Sequence, residues 1–205
     1  MATLVLGTNN KKKGGELTEL LAPYGIVVKT LADFDRKLSV IEDGKTFIEN
    51  ARKKAAEQAG FLGEWVLGED SGLSVKALDG APGVYSARFA ALDGADNSDD
   101  EANNRLLLQR LGNVPLEKRT AHYTCAAALS DSAGTIHAES EGRCRGRIRF
   151  DAAGANGFGY DPLFEVVEYH QTFGELSPAV KRCISHRARA MRQIIPQIVK
   201  RLFAE

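Results

Sequence analysis

The sequence predicts an α/β fold: a mixed sheet with flanking helices. In the first half, short apolar runs at Thr3–Leu6, Ile26-Val27-Val28 and Trp65-Val66-Leu67 alternate with segments of helical spacing, the pattern of parallel strand–helix units. In the second half, β-capable runs at 121–129 and 135–141 flank a Ser/Asp/Gly turn, the pattern of antiparallel strands. A helical segment opened by Ser177-Pro178, with proline at the first helical position, closes the chain.

Each element has a local cause. The first strand is broken by Gly7-Thr8-Asn9-Asn10, and Lys11-Lys12-Lys13 begin a helix whose apolar side is Leu17, Leu20 and Leu21. Lysines in a first helical turn oppose the helix dipole, unless an anion docks there. No phosphate-loop pattern of the G-x-x-x-x-G-K-[ST] type occurs, so the turn reads as solvated or as a basic anion site. Gly14-Gly15 weakens the helix by about 1 kcal/mol per glycine relative to alanine. Pro23 and Gly25 end it, and a second strand follows before a polar loop at 33–39. Thr46 with Glu49 forms a capping box for a helix from Phe47 to about Ala59, with Phe47, Ile48, Ala51 and Ala55 as its buried stripe and Gly60 as its end.

The stretch W-V-L-G-E-D-S-G at 65–72 is the one the rest of the chain is organised around. Its apolar run delivers Glu69 and Asp70 into a Gly-flanked turn. Two readings apply: a solvated Asp/Ser/Gly turn, or a strand end that holds a hard cation such as Mg²⁺ through oxygen ligands. Leu73 to Leu78 then alternates as a half-exposed strand, and 79–83 is a turn cluster. After a loop at 93–100, residues 99–111 form a helix that Gly112, Asn113 and Pro115 stop. Arg143, Arg145, Arg147 and Arg149 fall on one strand face, which reads as solvated because no second basic and aromatic strand accompanies it. Phe158 and Tyr160, on a Gly-hinged loop beside Asp161, suit either a core position or a platform for a flat ring. In the last helix Lys181 and Ser185 share a side, and Pro196 is expected to kink it.

The 205 residues are enough for one domain with a sizeable core, and a 43% hydrophobic and 26% charged composition is that of a soluble globular chain. Lys+Arg and Asp+Glu are equal at 27 each, which argues against a nucleic-acid or acidic-membrane binder and leaves any basic site local. Three widely spaced cysteines exclude a disulfide framework or zinc site and fit a cytoplasmic protein. The N-terminus lacks the features of a signal peptide, and no apolar run approaches a membrane span.

Five blocks in order then carry a resemblance: T-N-N-K-K-K at 8–13, E-D-G-K-T-F-I-E-N-A at 42–51, E-D-S-G-L at 69–73 with G-A-P-G-V-Y-S-A-R at 80–88, G-F-G-Y-D-P-L-F at 157–164, and S-H-R at 185–187. Together they resemble the inosine triphosphate pyrophosphatase family, which hydrolyses aberrant purine nucleoside triphosphates such as ITP, dITP and XTP. The resemblance implies a single domain over 1–205, elongated and two-lobed around a nucleotide cleft, usually homodimeric. It implies that the Thr8, Asn9, Asn10, Lys11, Lys12, Lys13 segment binds the triphosphate, with Lys54 adding charge. It places Glu42 and Asp70 around Mg²⁺, Asp70 also as general base, and Ser71 on the nucleotide. It places Phe158 on the base with Gly159, Tyr160 and Asp161 nearby, and Lys181, His186 and Arg187 at the purine edge. Two departures stand out: Glu69 replaces the usual Asp before the catalytic Asp, its role open, and Gly14-Gly15 replaces charged residues.

Overall fold

The computed structural model describes residues 2–36, 38–94 and 99–203, so part of the expected 93–100 loop lies outside the described residues. The chain forms β1 (Thr3–Leu6), α1 (Lys11–Leu21), β2 (Val27–Thr30), α2 (Phe47–Leu62), β3 (Val66–Val75), α3 (Asp100–Leu111), β4 (Thr120–Ser130), β5 (Ile136–Ile148), β6 (Phe164–Val166), β7 (Gln171–Thr172), α4 (Pro178–Ile184) and α5 (His186–Phe203). The strands hydrogen-bond in the order β2-β1-β3-β4-β5-β6-β7. β1 is parallel to both β2 and β3, while β5, β6 and β7 are antiparallel, so the mixed α/β sheet read from the sequence is what forms.

The chain divides into two compact units. The first holds the chain up to Asp70, with Cys125–Gly142 and the residues from His186 onward; the second holds Ser71–Thr124 and Arg143–Ser185. In the first unit, period-two alternation sorts the strand residues between two helix layers. Leu4, Leu6, Leu67, Cys125, Ala127 and Leu129 pack with Leu17 and Leu21 of α1 and with Met191, Ile194 and Ile198 of α5. Val5 and Val66 face the other way with Ala59 of α2, and Ala126 and Ala128 meet Ala51 and Ala55. The strand order explains this. Crossovers from β1 to β2 and from β2 to β3 run in opposite directions, so α1 and α2 cover opposite faces. The reversal of order falls between β1 and β3, and ligands of open α/β sheets bind beyond the carboxyl ends of strands at such a switch point.

The second unit has its own core. Leu73, Val75, Leu107, Tyr123, Ile148, Leu163, Phe164 and Phe173 pack together there. The rings of Phe164 and Phe173 stack at 5.3 Å, and Tyr123 tilts against Phe164 at 4.7 Å.

Three sequence expectations are corrected. Glu69 to Gly72 is not a turn: β3 runs unbroken for 10 residues through it, ending where the separate strand at 73–78 was expected to continue. α2 passes Gly60 and stops at Leu62, where Gly63 takes φ 72° as the left-handed C-cap. The C-terminal helix is two helices, because Ser185 is extended (φ −64°, ψ 159°) between α4 and α5. Pro196, expected to disturb this helix, lies inside α5. The arginine face is solvated as expected: Arg143 and Arg145 are exposed, and Arg147 pairs with Glu165 and Arg149 with Glu175.

Candidate active site

The first-unit site is built on the middle of β3. Because neighbouring strand residues point to opposite faces, Glu69 and Asp70 enter different surroundings. Asp70 has the parity of Val66 and meets α2. Lys54 Nζ donates to its Oδ1 at 3.1 Å, and Asn50 Nδ2 to its Oδ2 at 3.1 Å. Lys54 Nζ also donates to Glu42 at 3.0 Å, so two carboxylates converge on one ammonium. Asn50 and Lys54 are one helical turn apart on α2, the spacing that puts two side chains on one face. That face comes close because Gly68 has no side chain: a Cβ there would lie 2.3 Å from the Ala51 carbonyl and 2.6 Å from the Ala55 nitrogen.

Burial pushes the Asp70 carboxyl above the usual range, with Lys54, Lys13 and the Asn50 hydrogen bond opposing it. Burial would lower Lys54, but the charges of Asp70, Glu42 and Glu69 outweigh it and its ammonium is held above the ordinary lysine value. Lys54 is therefore charged in a half-dry site, 8% exposed, and neutralises part of the acid cluster.

Glu69 has the parity of Leu67 and faces α1 and α5. Its Oε1 accepts from Arg187 Nη2 at 3.0 Å and from the Cys125 thiol at 3.2 Å, and its Oε2 lies 3.3 Å from Lys13 Nζ. Arg187 also pairs with Glu16. At 1% exposure this guanidinium is kept fully charged: burial opposes the charge, and Glu69 and Glu16 outweigh that. His186, expected at the purine edge, is buried at the start of α5.

Asn10 is the N-cap of α1. Its Oδ1 accepts from the Lys12 and Lys13 amides at 3.0 and 3.1 Å. Two of the first-turn N–H groups that could have met an anion are thus engaged by Asn10, which gives the lysine side chains a larger share in supplying the charge. Asn9, Lys11 and Lys12 are exposed, and Thr8 is half-buried with its hydroxyl accepting from the Asn10 amide at 3.1 Å. A pocket of about 520 Å³ lies against this turn, lined by Thr8 to Lys11, Gly14, Gly15 and Thr30 among others.

The second unit carries the aromatic loop. Asp161 organises it: its Oδ2 accepts from the Phe158 amide at 2.8 Å and from Lys181 Nζ at 2.6 Å. Gly157, at φ 78°, has no room for a Cβ, which would sit 2.0 Å from that same oxygen. The Gly159 amide donates to Asp100 at 2.8 Å, and Asn104 donates to the Gly159 carbonyl at 2.9 Å, tying the loop to α3. Phe158 is half-buried with Lys181 Nζ 4.7 Å above its ring centroid, a flat apolar surface beside a buried ammonium. Tyr160 is a core residue instead: it is 3% exposed and donates its hydroxyl to the Ser86 carbonyl at 2.8 Å. Ser71 follows Asp70 on β3, half-buried.

The structure thus gathers Lys13, Lys54, Glu42 and Asp70 in the first unit, and Phe158, Asp161 and Lys181 in the second. Sequence reasoning missed Asn50, Glu16, Cys125 and Asp100. Asn50 had a signal, its i,i+4 spacing from Lys54; the others depend on tertiary register.

The Ham1 family model matches residues 4–197. The chain belongs to the Ham1 family. The motif resemblance therefore holds over nearly the whole length. A Ham1-type relative from Rhodopirellula baltica, named dITP/XTP pyrophosphatase, is 52% identical over 98% of this chain and 94% of its own. Another so named, from Desulforamulus reducens, is 50% identical over 98% and 96%. Among solved structures, a HAM1 protein from Coxiella burnetii superposes with a TM-score of 0.86 at 34% identity, covering 98% of this chain and all of its own, and the Staphylococcus aureus Ham1 protein with 0.83 at 35%, covering 96% and 97%.

Proposed function

We propose that this protein hydrolyses non-standard purine nucleoside triphosphates, ITP, dITP and XTP, to the monophosphate and pyrophosphate, with Mg²⁺ as cofactor. The observation that carries the reading is the pair Glu42 and Asp70 converging on Lys54, with Lys13 near enough for its charge to act on Asp70. It agrees with the names of the two relatives, which this chain matches over 94% and 96% of their length.

The donor set fits Mg²⁺. Both converging groups are hard oxygen donors, and acids outnumber the ammonium between them, so a cation is electrostatically welcome there. Among the described residues no cluster of three or more metal-ligating side chains occurs, which suits an ion held by one or two carboxylates with phosphate oxygens and water. When bound, Mg²⁺ would offset triphosphate charge and polarise the phosphoryl oxygens.

The residues of the chain do the rest. Lys13 and Lys54 would bind the triphosphate and stabilise charge that develops on it. Asp70, fixed by Lys54 and Asn50, would orient a water toward the α-phosphorus and accept its proton. Phe158 would stack on the base. Lys181, held by Asp161, would donate to the 6-oxo group, leaving a donor unpaired against the 6-amino group of adenine. Among the described residues no helix is long and apolar enough to cross a membrane; a cytoplasmic location is the expected one. A homodimer is the expected assembly, to be read by sedimentation.

A substrate panel tests the function. Pyrophosphate release is expected from ITP, dITP and XTP with Mg²⁺, at rates at least about a hundredfold above ATP. Equal turnover of ATP, or orthophosphate as the first product, would contradict it.

A further inference from the structure

The acid beside the proposed catalytic aspartate points the other way. Glu69 and Asp70 lie on opposite faces of β3: Asp70 meets Asn50 and Lys54 of α2, and Glu69 meets Lys13 of α1, Arg187 of α5 and Cys125 of β4. The charge balance differs as well. On the Asp70 face two carboxylates share one lysine. On the Glu69 face two carboxylates, Glu69 and Glu16, meet two cations, Lys13 and Arg187. The first arrangement has room for more positive charge; the second is already balanced. Glu69 is 1% exposed, and a carboxylate so dry is costly unless ion-paired and hydrogen-bonded. Arg187 and Cys125 both donate to Oε1, and Lys13 lies against Oε2. The thiol is suited to donate: burial and the adjacent Glu69 charge push its pKa up, so it stays protonated.

We propose that Glu69 is a positioning residue for Lys13 and not a metal ligand: anchored by Arg187 and Cys125, it holds the Lys13 ammonium where the triphosphate docks. The proposal rests on the function proposed above. Lys13 has four rotatable side-chain bonds and is 17% exposed, so a buried anion beneath it selects one position before substrate arrives. Arg187 acts one step further back, with Glu16 holding its other side.

The test measures ITP affinity by calorimetry in EDTA, and the Mg²⁺ concentration for half-maximal pyrophosphate release, in wild type, Glu69→Gln, Lys13→Gln and the double variant. Glu69→Gln is expected to weaken metal-free ITP binding by roughly tenfold, the scale of one charge-assisted contact, and to leave the Mg²⁺ requirement unchanged. In the Lys13→Gln background it should cause no further loss of affinity. Unchanged metal-free affinity with a raised Mg²⁺ requirement, or losses that multiply in the double variant, would overturn the proposal. Should Glu69→Gln not fold, Cys125→Ala weakens metal-free ITP binding by about twofold or more and Cys125→Ser restores it; unchanged affinity in Cys125→Ala contradicts the proposal. Failure of wild type to release pyrophosphate from ITP would count against the function itself, and a Mg²⁺ shift in an active enzyme only against the role of Glu69.

Discussion

At Asp70 burial and charge act on one side chain together, since its carboxylate is buried and is steadied by Lys54 and Asn50 of α2. Asp70→Asn keeps the shape and the Asn50 contact region but removes the proposed base and one proposed metal oxygen. It is expected to lower kcat by roughly a thousandfold or more while ITP binding stays measurable by calorimetry. Phe158→Ala removes the ring beside Lys181 and is expected to raise KM about tenfold with a smaller effect on kcat, read from steady-state kinetics on ITP. Lys13, Lys54, Asp70 and Phe158 were legible because their blocks occur in order along the chain. Glu69 was not: its partners Lys13, Cys125 and Arg187 are separated from it by 56 or more positions, and only the packed sheet brings them together. For Tyr160 the sequence left a core position and a ring platform both open, because a Gly-flanked tyrosine beside an acid does not reveal which way its ring turns; the structure buries it.

At the scale of elements, β3 shows how tertiary packing overrides turn chemistry. Asp-Ser-Gly favours a turn when isolated, yet here it lies within β3, a strand held between β1 and β4 in the sheet, and stays extended. Once it is a strand, the divergence of Glu69 and Asp70 follows from period two alone. Two glycines test the helices around it. Gly15 is exposed on α1, and a Cβ there meets nothing within 4 Å. Gly15→Ala should therefore stabilise the protein by about 0.5–1 kcal/mol. Gly68→Ala forces a methyl into the α2 backbone and should cost roughly 3 kcal/mol or more. Denaturant midpoints of the two variants, moving in opposite directions, are the check; a harmless Gly68→Ala would mean that α2 does not sit where Asn50 and Lys54 reach Asp70.

At the scale of the whole molecule, each of the two units has its own apolar core, and each carries one part of the proposed chemistry: acids and lysines in the first, a ring and a held lysine in the second. The mixed sheet was readable from the alternation of apolar runs and helical spacing, and the parallel order around β1 puts the acid site at the switch point. The division into units along β3, β4 and β5 was not readable from pattern, because each of those strands continues unbroken past the boundary. The central claim is that water directed by Asp70 attacks the α-phosphorus of a non-standard purine triphosphate. Turnover of ITP in isotope-labelled water, with mass analysis of the products, tests it most directly. The expected result is label in the monophosphate alone, from wild type with Mg²⁺ and not from Asp70→Asn; label in pyrophosphate or orthophosphate, or undiminished labelling by Asp70→Asn, would contradict it.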